Sequence, residues 1–156
     1  MHKKNRSLNG AEAIREGLIE VGKKNKNVIF MAEGIDDPTS VFGTTKNLNS
    51  IFKKNRVIEM PLSENALIGA AIGASFFGKK TVISLHRVEF ALLALEQIIN
   101  NAAKASYITS GQHSASIVLR LIVGRGWGQG PAHSQSFENL FSMIPGLKVL
   151  SPTFPS

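Results

Sequence analysis

Apolar residues along this chain fall into two alternating kinds of run. Ile14, Leu18 and Val21, with Ala13 and Ile19 beside them, recur at helical spacing. They predict an amphipathic helix that Asn9 can cap and that Gly22 and the lysines from Lys23 to Lys26 favour at its C-terminal end. Val28-Ile29-Phe30-Met31-Ala32 is apolar without alternation, the pattern of a strand buried on both faces. Residues 34–45 are rich in Gly, Asp, Pro, Thr and Ser and predict a loop. A short helix over residues 45–52 then leads to a second strand over 56–60. A helix over 64–77 follows, with Gly78 as its stop, and then a third strand over 81–85. A long helix is predicted over residues 89–107, apolar at Phe90, Leu93, Leu95, Ile98 and Ile99. Residues 116–123 carry the strongest strand pattern, a short helix follows His133, and residues 148–150 read as a last strand.

Strands alternating with helices predict an α/β fold, a three-layer parallel sheet with helices on both faces. Ligands of such sheets gather beyond the carboxyl ends of the strands. Glu33, Glu64, His86 and His133 all follow predicted strands, so they are expected to converge there.

Composition narrows the functional classes. At 156 residues, with 43% hydrophobic and 19% charged residues, the chain has single-domain length and buries roughly 70% of its unfolded surface. The absence of cysteine excludes disulfides, thiolate catalysis and cysteine-bound zinc. No apolar run is long enough to span a bilayer, and no apolar signal core follows the basic N-terminal segment 1–9, so a cytoplasmic location is expected. The net charge of +7 is spread over separate clusters, Lys3-Lys4, Lys23-Lys24-Lys26, Lys53-Lys54-Arg56 and Lys79-Lys80, with no interleaved aromatics. That distribution suits an acidic partner subunit better than nucleic acid.

Glu64 stands out among the candidate residues. Pro61-Leu62-Ser63-Glu64 places a carboxylate at the mouth of a helix whose next turns carry Gly69 and Gly73. The plain reading is a solvated acid in a first helical turn, with Ser63 as N-cap. The glycines argue for more, because each costs roughly 1 kcal/mol relative to alanine inside a helix. With Ala66, Ala70 and Ala74 they give a small-residue surface suited to close packing. The loop from Gly124 to Gly130 lacks the lysine and hydroxyl residue of a phosphate-binding loop, and it also reads as a mobile surface loop. His133 just beyond it is a neutral-pH proton donor by type, or a structural histidine. No pair of histidines or acids has metal-ligand spacing, so no intrinsic metal site is expected.

These residues carry a resemblance. The motifs are Met31-Ala32-Glu33-Gly34, Val41-Phe42, Thr45-Lys46 with Leu48, Pro61-Leu62-Ser63-Glu64, and Glu96-Gln97-Ile98-Ile99-Asn100 with Ala102-Ala103-Lys104. Gly126-Trp127-Gly128, Gly130-Pro131-Ala132-His133-Ser134-Gln135-Ser136 and Pro145-Gly146-Leu147-Lys148-Val149 complete the set. In their order and spacing, residues 10–156 resemble the pyrimidine-binding domain of transketolase-type thiamine-diphosphate enzymes. More narrowly they resemble the β subunit of the dehydrogenase component of 2-oxoacid (pyruvate, branched-chain, acetoin) dehydrogenase complexes, without that family's C-terminal domain.

The resemblance implies roles. Glu64 matches the glutamate that contacts the cofactor's aminopyrimidine ring and shifts its amine towards the imino form, with Gly69 and Gly73 at the interface glycines. Leu62, Glu33, Arg87 and Phe90 fall around the cofactor, and His86, Arg87 and His133 around the substrate. His133 matches a histidine facing the reacting end of the cofactor, and Glu33 an acid of a tunnel between paired sites. The family usually has an aromatic residue where this chain has Arg87. The Gly-Asp-Gly motif for diphosphate and magnesium is absent here, and in two-chain members it lies on an α subunit. The implied cofactor is therefore thiamine diphosphate, with magnesium held by an α-type partner. The implied further partners are a second β chain and a lipoyl-bearing acyltransferase, in a heterotetramer, with the isolated domain inactive. Two other readings stay open: a transketolase-like ketol or aldehyde transfer, and a non-catalytic scaffold that dimerises through the glycine-bearing helix.

Overall fold

The computed structural model describes residues 7–124 and 128–154. The basic residues 1–6, the Arg125-Gly126-Trp127 part of the glycine loop, and Pro155-Ser156 lie outside the described residues.

Helix α1 spans Gly10–Lys24 and opens with a full capping box: the Asn9 side chain accepts from the Glu12 amide, and the Glu12 carboxylate accepts from the Asn9 amide. Strand β1 is Val28–Ala32, helix α2 Leu48–Ile51, strand β2 Val57–Glu59, helix α3 Glu64–Phe76 and strand β3 Lys80–Leu85. Helix α4, Ala105–Ile108, strand β4, Ile117–Leu121, and helix α5, Glu138–Ser142, complete the regular elements. The four strands are all parallel, in the order β2-β1-β3-β4.

Alternation along β1 divides the interior in two. Ile29 and Met31 join Ile83 and Leu85 of β3 against Leu67, Ile68, Ala71 and Ile72 of α3. Val28, Phe30 and Ala32 face the other way, towards Leu18, Ile35, Val41, Leu48 and Phe52. The three layers expected from the sequence are therefore present around β1, with helices on both faces of the sheet.

Several elements differ from the sequence-based expectation. The single long helix over 89–107 is not regular: Val88–Ala94 is a 3₁₀ helix, Gln97–Ala102 a π-helix, and only α4 is α-helical at the end. Buried Val88, Ala91 and Ala94 are spaced by three, which brings them into one line when the turn tightens to three residues. Helix α2 is one turn instead of eight residues: Asn47, with a left-handed φ of 66°, stands at its N-cap and blocks a start at residue 45, while Ser40, Val41 and Phe42 in the loop before it hold φ values of 41° to 56°. Strand β4 is an edge strand: Ile117, Leu119 and Leu121 pack inward while Val118 is 56% exposed. Residues 148–150 form no strand. The turn at Gly146 seats this segment against Ala103, and Leu147 packs on the α3 side of the core instead of lying beside β4. Ser63 holds the N-cap position of α3 without a side-chain bond. In α1 only Leu18 and Gly22 are buried; the Phe52 and Phe30 rings fill the space beside Gly22, and Ile14 and Val21 are each 41% exposed.

Candidate functional site

The chain leaves β1 towards β2 and leaves β3 towards β4, so the crevice beyond the carboxyl ends of β1 and β3 is the switch point of the sheet. Glu33 follows β1, Glu59 ends β2, Glu64 opens α3 and His86-Arg87 follow β3. Of the sequence-predicted residues, Glu33, Glu64, His86 and Arg87 thus meet at one rim, and the Arg87–His133 contact brings His133 to it, in three connected groups.

The first group is acidic. Glu33 is 3% exposed and Glu64 8% exposed. Glu33 accepts a hydrogen bond from the Ser63 amide at 3.2 Å, which ties the end of β1 to the start of α3. Burial raises the Glu33 pKa above the usual carboxylate range, the Glu64 charge raises it further, the Ser63 amide works against this, and Glu59 adds a smaller push upward. Glu59 itself accepts from the amides of Gly34 at 2.7 Å and Asp36 at 2.9 Å, and so fixes the loop after β1. The Glu64 carboxylate accepts no hydrogen bond from another side chain or from the loop among the described residues. Leu62, before it, is 87% exposed.

The second group sits over the crevice. The His86 ring lies against Gly34, where a Cβ would come within 3.1 Å of His86 Cε1, and meets Phe42 edge-on at 5.7 Å. Phe42 is delivered there by the left-handed turn of residues 40–42, and the Arg87 guanidinium lies 5.5 Å from its ring. Arg87 is 5% exposed, and its Nη1 donates to the His133 carbonyl at 3.2 Å while its Nη2 donates to the Gln129 side chain.

The third group surrounds His133. Its ring meets Phe90 edge-on at 5.7 Å, and its Nδ1 is buried without a hydrogen-bond partner among the described residues. Nearby, buried Glu89 accepts from the Gln135 amide at 2.6 Å through Oε1, and its Oε2 has no partner among the described residues. Sequence reasoning missed Glu59, Glu89 and Gln129. An isolated acid or amide carries no motif, and their roles exist only through contacts made across 23 to 46 residues of chain.

Gly69 and Gly73 lie away from this rim. They line an open groove of about 350 Å³ with Ile72, Phe76, Asn100 and Ile108. A Cβ on Gly69 would touch the Gln97 side chain at 3.4 Å, whereas one on Gly73 would meet nothing within 4 Å. Among the described residues, then, a Cβ at Gly73 would stand in open space. Among the described residues no group of three or more His, Asp or Glu could hold a metal ion, and no helix is long and apolar enough to cross a membrane.

Comparison with known proteins bears on this arrangement. The family model for the transketolase pyrimidine-binding domain matches residues 6–156. The chain is 34% identical over 141 residues to the pyruvate dehydrogenase E1 component subunit beta of Rhizobium meliloti, covering 90% of this chain and 31% of that one. It is 35% identical over 160 residues to the acetoin:2,6-dichlorophenolindophenol oxidoreductase subunit beta of Cupriavidus necator, covering 96% of this chain and 47% of the relative. The chain therefore spans less than half the length of these relatives. Among solved structures, an inactive beta4 tetramer of a split-gene transketolase shares the fold, with a TM-score of 0.65 at 22% identity over 86% of this chain and 39% of that chain.

Proposed function

Because the chain belongs to the transketolase pyrimidine-binding domain family, we propose that it forms one half of a shared thiamine-diphosphate site in a 2-oxoacid dehydrogenase. In this reading the chain acts as the β subunit and lends Glu64 across a subunit interface. The observation that carries the proposal is the state of that carboxylate: buried at the head of α3 and beside a second acid.

The residues present fit an aminopyrimidine. Glu64 is an acid withdrawn from bulk water and without a side-chain partner among the described residues, so a ring nitrogen is a suitable occupant. Bound thiamine diphosphate supplies a carbon nucleophile and an electron sink for decarboxylation. Glu64 holds a proton at its carboxyl oxygen and exchanges it with that ring nitrogen. Burial and the Glu64 charge raise the pKa of Glu33, so a charge on Glu33 is disfavoured while Glu64 is ionised. Leu62 and Phe90 offer apolar surface at the rim, while His86 and His133 orient the oxoacid. No residue of this kind of site reads the diphosphate or magnesium, which fall to an α-type partner carrying Gly-Asp-Gly.

The net reaction joins the acyl group of the 2-oxoacid to a disulfide acceptor such as oxidised lipoyl, releases carbon dioxide and leaves one thiol free. A lipoyl-bearing acyltransferase is the matching acceptor protein. The groove at Gly69 and Gly73 is the surface for a second copy of the chain, which gives a heterotetramer with two α-type subunits. A cytoplasmic location belongs to the same proposal.

The test is reconstitution with an α-type subunit, thiamine diphosphate and magnesium, followed by carbon dioxide release from 2-oxoacids. Glu64→Ala is expected to lower the rate by at least about 100-fold, the scale of general acid–base catalysis. Wild-type activity in that variant sinks the assignment. Ketol transfer between sugars without decarboxylation would favour the transketolase-like reading instead.

A further inference from the structure

The segment that follows β3 reaches the His133 loop at two points with opposite charges. Arg87 places a cation on the carbonyl of His133, and Glu89 places an anion on the amide of Gln135, two residues on. Each side chain thus binds the backbone group of complementary polarity, and together they bracket Ser134 as two rungs of a ladder. Both contacts join residues 46 apart in sequence. Both side chains are buried, Arg87 at 5% and Glu89 at 8% exposure, where charge-assisted hydrogen bonds are strong and their loss is costly. Between them in sequence, Val88 is anchored in the core, and just after them Phe90 meets the His133 ring edge-on.

Gly124 completes the device. It is buried, and a Cβ there would lie 2.5 Å from the His133 carbonyl oxygen and 2.9 Å from Arg87 Nη1. Only a residue without a side chain lets the guanidinium and the carbonyl meet across the end of β4. Arg87 also donates to Gln129, so the same cation holds the glycine loop on the far side of His133.

We infer that Arg87 and Glu89 form a two-point clamp whose role is to position His133. The guanidinium donates to the His133 carbonyl and the Gln129 side chain of the loop, which makes Arg87 a positioning residue. This inference rests on His133 facing the substrate, as proposed above, but the clamp itself is testable without that premise.

The experiment has two arms. Amide hydrogen exchange on the chain is expected to show slow exchange at Gln135, accelerated at least ten-fold in Glu89→Leu and restored substantially in Glu89→Gln. In Arg87→Met and Gly124→Ala the His133 ring resonances are expected to move while those of His113, remote from the loop, stay in place. If Glu89→Leu does not fold, the Arg87→Met and Gly124→Ala spectra decide the question alone. Unchanged Gln135 exchange together with unchanged His133 resonances overturns the clamp. In the reconstituted complex, Arg87→Met is expected to lower kcat at least ten-fold, yet to cause less than a two-fold further loss in a His133→Ala background. An equal loss in both backgrounds overturns the positioning role, because a residue acting through His133 has nothing left to act on. A complex with no 2-oxoacid activity in any form refutes the proposed function and leaves the exchange and resonance arm to judge the clamp.

Discussion

Gly73→Ala separates what the groove costs one chain from what it gives to two. In the single chain a Cβ at Gly73 meets no atom within 4 Å, so the methyl group enters open space. Alanine is the better helix former by about 1 kcal/mol. The isolated chain should therefore become more stable by about 1 kcal/mol, which raises the melting temperature of a domain this size by roughly 2–4 °C. If a second copy lays a helix across the groove, the same methyl group stands in a packed contact. Overpacking costs about 1–3 kcal/mol. A two-fold interface presents the substitution twice, so association should weaken by roughly 2–6 kcal/mol, or about 30-fold to 10⁴-fold. The assays are urea unfolding at concentrations where the chain is monomeric, and sedimentation velocity across a concentration series. A gain in stability with unchanged association would show that the groove is not the interface. A loss of stability in the monomer would show that α3 packs at Gly73 in a way the structure does not contain.

Two further substitutions test the interior. Glu33→Gln should raise the urea midpoint at pH 7, because burial and the neighbouring Glu64 charge raise the folded pKa of Glu33 above its unfolded value of about 4.3. The sign follows from linkage: wild-type stability from this group is full below the unfolded pKa and is lost as pH rises through the folded pKa, so the advantage of glutamine should vanish below about pH 4. Equal midpoints at pH 7 would mean that Glu33 is not held at a cost. Gly146→Ala should destabilise the chain by about 2–4 kcal/mol, since Gly146 has a φ of +97° and its Cβ would collide with the Ala103 carbonyl. A loss below about 0.5 kcal/mol in urea unfolding would contradict that packing.

What the sequence disclosed depended on whether local pattern and tertiary packing agreed. The unbroken apolar run at β1, the Asn9 cap and the Gly78 stop of α3 are local signals, and the structure follows them. The convergence of Glu33, Glu64 and His86 was legible because strand ends share one rim in a parallel sheet. The 3₁₀ and π segments hid behind an ordinary apolar spacing. The interval of three between Val88, Ala91 and Ala94 fits the tightened turn but also fits an α-helical face. Ser40-Val41-Phe42 carries no sign of left-handed backbone, since neither glycine nor asparagine is present. Tertiary contacts impose that conformation, with Val41 wholly buried and Phe42 set against His86. The clamp at Arg87 and Glu89 was illegible for the same reason: its partners are backbone groups of a distant loop, and backbone groups have no residue type.

The open flank of β4 has a consequence for handling the chain. A strand at the end of a sheet displays unpaired amides and carbonyls, which can template the addition of a foreign strand. The opposite flank is blunted, because β2 is only three residues long and is preceded by Lys53, Lys54 and Arg56. The β4 flank is five residues long and apolar, interrupted only by Arg120, whose guanidinium turns inward to the Ser84 hydroxyl and is lowered by burial to about 10. Concentrated solutions of the isolated chain should therefore aggregate by strand addition at this flank, and a lysine in place of exposed Val118 is the substitution suited to suppress it.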